Sequence, residues 1–168
     1  ESGALQHTGW NQVDVSALPA LAPISREALR ELGVSVAGEA VIRDVCRTFT
    51  RVSPANLVFA GCLARLLRGQ AGEMGSAPSP APRDLPPALP QLPGMVPWDA
   101  LDPTRRAVVD VFETTLAGDA FVPGLYRILA RWPGYLAYVA RVLGPSLSDQ
   151  QTLATCEAIA DRVVEAAP

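Results

Sequence analysis

Apolar residues recur at helical spacing through most of this chain, and proline and glycine punctuate the runs. Residues 1–22 lack periodicity and read as an irregular arm, with Trp10 as its anchor to a core. Pro23 and Ser25 open a short helix, SREALREL, which Gly33 closes. A second helix runs over about 37–52. Val41, Ile42, Val45, Cys46 and Phe49 fall on one face of it, and Glu39, Arg43, Asp44 and Arg47 on the other. Ser53-Pro54 predicts a fresh start, with Ser as cap and Pro in the first turn. The helix that follows, 54–68, is apolar almost all round, which predicts a central position.

From Gly69 to Pro97 the pattern disappears, and eight of the 16 prolines lie between Pro78 and Pro97. That density excludes helix and central strand, and predicts a semi-extended connector over 70–97. Pro87-Ala88-Leu89-Pro90 fits the PxxP partner pattern. The other reading is a strap over a helix pair, adhering through Leu85, Leu89, Leu92, Met95 and Trp98.

Asp102-Pro103 repeats the cap-and-proline device and predicts a helix over 103–117, ended by Gly118. Pro123 begins a helix through about Arg131, and Pro133 begins another that ends at Gly144-Pro145. A capping box, Ser148 to Gln151, predicts a last helix burying Leu153, Cys156, Ile159, Ala160 and Val163. The expected architecture is all-α: a bundle of about six or seven helices in one domain. The Pro-rich connector separates a first helical half, 23–69, from a second, 98–168.

Composition narrows the chemistry. Hydrophobic residues make up 49% and charged residues 18%, the balance of a folded globular chain. A net charge of −3 and scattered arginines give no footprint for nucleic acid. Lysine is absent, which removes Schiff-base chemistry and a phosphate-loop lysine. No apolar run is long enough for a membrane span, so no membrane association is expected. Cys46, Cys62 and Cys156 are far apart and odd in number, the pattern of reduced thiols in a cytoplasmic helical core.

The single histidine, His7, lies in the irregular arm, so histidine metal sites and supported triads are unavailable. No glycine-rich nucleotide fingerprint occurs. If the chain is an enzyme, what remains is a carboxylate acting as general base on water. Most of the acids fall on polar faces or at caps, and Asp110 and Glu113 share a face as many surface pairs do. Asp119 follows a helix-ending glycine and precedes the aromatic stretch, a place suited to a base or to an N-cap.

The run Tyr126-Arg127-Ile128-Leu129-Ala130-Arg131-Trp132-Pro133, with Leu143-Gly144-Pro145 after it, resembles the signature of the DehI-type 2-haloacid dehalogenase family. The segment from Phe49 to Leu57 and Leu92-Pro93-Gly94-Met95-Val96 are similar to further segments of that family, in the same order. The resemblance implies an all-helical fold of two related repeats with the site between them. It also implies no metal or cofactor, and an acid-activated water that attacks the halogen-bearing carbon of a small carboxylic acid. Leu125 stands where the family keeps its catalytic Asp, so a hydrolase acting on carbon–halide bonds needs a substitute base, and Asp119 is the candidate. Ser53 falls where the family has an Asn that helps hold the water. Ser53, Tyr126 and Trp132 are the corresponding substrate-binding candidates. The chain is shorter than two repeats, so a homodimer or further chain is expected to complete the fold. The alternative is a non-catalytic helical scaffold that binds a small acid or a partner protein.

Overall fold

The computed structural model describes residues 11–16, 18–69, 90–116 and 118–166. Six α-helices dominate it: α1 Arg26–Glu31, α2 Val36–Leu67, α3 Pro103–Asp110, α4 Gly124–Leu129, α5 Pro133–Leu147 and α6 Gln150–Glu165. The fold is therefore all-α, with a single-turn 3-10 helix at Trp98–Ala100 and one small hairpin. Among the described residues no helix is long and apolar enough to cross a membrane. The Trp10 anchor, His7, the PxxP run up to Leu89 and the adhesion points Leu85 and Leu89 lie outside the described residues.

Several starts follow the local chemistry. The Ser25 hydroxyl accepts from the Ala28 amide at 3.1 Å, and the turn after α1 closes with Val34 N donating to Leu29 O at 2.9 Å. Asp102 accepts from the Arg105 amide at 2.9 Å, and Pro103 occupies the first turn of α3. Pro133 does the same for α5, after Trp132 leaves the helical region at φ −121°, ψ 78°.

Four expectations fail. Ser53-Pro54 does not divide two helices: α2 continues through Pro54, which is buried inside it. A proline removes one helical hydrogen bond, and Pro54, Val58 and Gly61, spaced on one buried face, carry the helix on past it. The helix predicted over 103–117 stops at Asp110, and Thr114–Leu116 pairs antiparallel with Asp119–Phe121 instead. Thr114, Thr115 and Phe121 favour strands, and Gly118, at φ 92°, makes the turn rather than ending a helix. α5 runs past Pro145 to Leu147. The cap of α6 is Asp149, whose carboxylate accepts from the Thr152 amide at 2.7 Å, and Ser148 instead bonds back to Gly144 O.

Two compact units share the chain. The larger comprises Leu18–Phe49 and Gln91–Ala154, and the smaller comprises Glu1–Ala17, Thr50–Pro90 and Thr155–Pro168. α2 and α6 each contribute residues to both.

The larger unit has a continuous core. Val34, Val45, Val109, Leu129 and Leu136 are almost fully buried, and Phe112 stacks on Tyr126 with ring centroids 3.8 Å apart. α5 packs against α3 and α4. Two glycines allow close approach: a Cβ on Gly134 would lie 2.5 Å from Leu32 O, and one on Gly38 would lie 2.7 Å from the Trp132 indole nitrogen.

The described end of the connector behaves as a strap on this unit. Val96 N donates to Arg127 O at 3.2 Å, while Arg127 Nη2 and Arg131 Nη2 donate to the carbonyls of Val96 and Gly94 at 3.0 and 2.9 Å. Leu92 and Val96 pack on the core, and the Arg106 and Arg127 guanidiniums lie over the Trp98 ring at 4.2 and 4.6 Å.

Among the described residues of the smaller unit the buried core is small. Val58 and Val163 are fully buried, with Val13 and Cys62 packed beside them, and Arg65 donates to Glu165 O at 3.1 Å. The all-round apolar helix is not central: Phe59, Leu63, Leu66 and Leu67 are exposed. Of the positions expected to be buried on α6, Ile159 and Val163 are buried, Ala160 is half-buried, and Leu153 and Cys156 are exposed.

Candidate functional site

The larger unit contains a cavity of about 250 Å³. Its wall is built by helical spacing. Tyr135, Tyr138, Val139, Val142 and Leu143 occupy one face of α5, and Leu125, Tyr126 and Leu129 one face of α4. Cys46 of α2 and Leu21, Ala22 and Ile24 ahead of α1 complete it. α4 and α5 hold this face because Pro123 and Pro133 set their starts, and Gly134 brings α5 close to the end of α1.

Among the described residues no charged side chain lines the cavity. Its polar groups are the hydroxyls of Tyr126, Tyr135 and Tyr138 and the Cys46 thiol. Burial pushes the Tyr126 and Tyr135 phenols up from their ordinary values, with Cys46 adding to each, and burial raises the Cys46 thiol too. All three are therefore neutral at physiological pH. They offer hydrogen bonds, not an ion pair. A thiol held protonated is also a poor nucleophile.

The sequence-derived residues scatter. Tyr126 lines the cavity, and so does Leu125, the position where the resemblance places an acid. Trp132 packs on the core with its indole against Gly38 and is not among the lining residues. Asp119 is exposed on the second hairpin strand, with Ala120 and Phe121 beside it, and does not line the cavity. Ser53 is exposed within α2 and belongs to the smaller unit.

Apart from Tyr126 and the Leu125 position, sequence reasoning singled out none of the lining residues for a site, Cys46, Tyr135, Tyr138, Val139 and Val142 among them. The signal was present: 135, 138, 139, 142 and 143 repeat at three and four. Spacing alone does not distinguish a wall from a filled core.

A second concave region is polar. Glu39 of α2 accepts from Arg30 at 2.6 Å and from Arg43 at 3.0 Å, with Arg26 at 3.5 Å. The Arg30 guanidinium, followed by those of Arg43 and Arg26, holds the Glu39 carboxyl below its usual range. Arg30 also donates to Val34 O at 2.8 Å, tying the turn after α1 to α2. These bonds account for the cluster as a fastening between the two helices. Among the described residues, no group of three or more His, Cys, Asp or Glu side chains is placed to hold a metal ion.

No protein-family model matches the chain, and no curated protein or solved structure matches it either.

Proposed function

We propose that this protein is a helical binding module whose cavity takes a small, neutral, largely apolar molecule carrying one hydrogen-bonding group. The observation that carries the reading is the wall of this open pocket: about 250 Å³ bordered by aliphatic and tyrosine side chains, with no charged side chain among the described residues. An engineered apolar cavity of about 150 Å³ accepts benzene, so this one suits a bicyclic or short-chain molecule of roughly ten heavy atoms. A carboxylate inside such a wall would be desolvated with no cation to pair it, which disfavours an ionised acid. On this reading the DehI-type resemblance is one of scaffold, with Leu125 contributing apolar wall in place of a base.

Calorimetric titration with 1-naphthol tests the reading. The expected result is saturable one-site binding with a Kd on the order of 10–100 μM, as ligand efficiency predicts for a probe of this size. Val139→Trp fills the space and weakens binding at least about tenfold at unchanged far-UV circular dichroism. Val142→Phe does the same if the larger indole unfolds the chain. Absence of saturable binding for naphthol, indole and toluene alike overturns the reading. Halide release from D- or L-2-chloropropionate, lost in Asp119→Ala, transfers the assignment to a hydrolase.

A further inference from the structure

The second half of α2 is apolar on two opposite sides, and among the described residues only one is covered. Pro54, Val58 and Gly61 face inward and are buried. On the far side Val52, Asn56, Phe59, Leu63 and Leu66 follow one another at steps of four, three, four and three. At about 100° per residue these fall in one stripe along the helix, with Leu67 along its margin. Phe59, Leu63, Leu66 and Leu67 are 61%, 47%, 51% and 82% exposed.

We infer that this stripe is a self-association surface on which a second copy of the chain docks, α2 against α2. Three observations favour a second copy over another partner. The alternation of three and four is the seam of a two-helix coiled coil, in which each apolar knob fits between residues of a like helix. The stripe bears no charge, so it meets its own image across a two-fold axis without repulsion. Asn56, exposed in the seam, meets the same residue or a seam neighbour of the other copy, a device that fixes register and limits assembly to pairs.

The area agrees. Each large side chain offers on the order of 100 Å². With Asn56, Ala60 and the half-buried Val52, two copies together remove roughly 1,000 Å², the lower bound for a specific interface. The inference is independent of the cavity, which belongs to the larger unit.

Sedimentation equilibrium over about 1–200 μM tests it, a span chosen for the affinity an interface of this size supports. The full chain is expected to approach twice its 17.8 kDa mass within this range. Leu63→Glu places a charge in the seam on both copies and weakens association at least about 100-fold while helicity is unchanged. Leu66→Gln, a milder change, is expected to weaken it less and guards against a misfolded Glu variant. Leu57→Glu, about a third of a turn away from Leu63, leaves the mass unchanged. A wild-type chain that stays monomeric throughout overturns the inference and assigns the stripe to another occupant, either residues 70–89 of this chain or a different protein. A Leu63→Glu variant that remains dimeric overturns it equally.

Discussion

The two units put their apolar residues to different use. In the larger one, apolar residues from α1, α2, α3, α4 and α5 meet in one core, and the strap adds Leu92 and Val96. In the smaller one, the buried cluster among the described residues is Val58 and Val163 with two half-buried neighbours, and Phe59, Leu63, Leu66 and Leu67 of α2 are exposed. Hydrophobicity of a segment thus states how much surface is available to bury, not which of its faces the neighbouring described segments cover. The larger unit holds an open apolar pocket; the described part of the smaller presents a face.

The sharpest way to break this contrast is to make the same substitution in each unit. Leu136→Ala removes a fully buried side chain and is expected to cost roughly 3 kcal/mol in urea unfolding. Leu63→Ala, measured at concentrations where the chain is monomeric, is expected to stay within about 0.5 kcal/mol. Equal costs at the two positions would erase the distinction.

Gly134→Ala comes next. Its Cβ would press on the Leu32 carbonyl, a backbone atom that cannot step aside, so a loss of about 1–3 kcal/mol is expected in the same assay. A neutral result would mean that the contact between α5 and the turn after α1 is loose, and with it one wall of the cavity.

How much of this was legible beforehand follows the physics of each signal. The caps at Ser25 and Asp102 and the proline starts at Pro103 and Pro133 act within one turn, so the sequence reading located them. Pro54 was misleading because tolerance of an interior proline depends on the neighbouring segments, which no local pattern contains. Thr114–Phe121 was hidden for a similar reason: three-residue strands are too short to display alternation. The strap was foreseen at Leu92 and Trp98. The clamp by Arg127 and Arg131 was not, because their acceptors are backbone carbonyls more than thirty residues away, which no local pattern contains. Tyr126 as a lining residue was anticipated. The absence of a charge from the whole wall emerged only when four chain segments came together.

The strap offers a third test. Arg127→Met keeps the aliphatic bulk but loses the bonds to Val96 O and the contact with Trp98. A cost of about 1–2 kcal/mol is expected, with faster hydrogen exchange at the Val96 amide. Unchanged exchange there would show that Leu92 and Val96 hold the strap by packing alone.

The smallest expected effect is one of pH. The thiol and phenol values raised by burial in the larger unit mean that the unfolded chain releases those protons first. Below about pH 7.5 both states are protonated at these groups, and their contribution is constant. As pH rises beyond that, the unfolded state binds fewer protons than the folded one, so stability falls. Cys46→Ala combined with Tyr126→Phe should flatten this alkaline slope. A slope that persists unchanged would place its origin elsewhere.

The most direct test of the central claim is a methyl-resolved NMR titration of the full chain with 1-naphthol. The account predicts saturable shifts at Leu125, Leu129, Val139, Val142 and Leu143, which line the cavity, with Val58 and Val163 unmoved. Shifts confined to Leu63, Leu66 and Leu67, or no saturable shift at the cavity methyls, would contradict it.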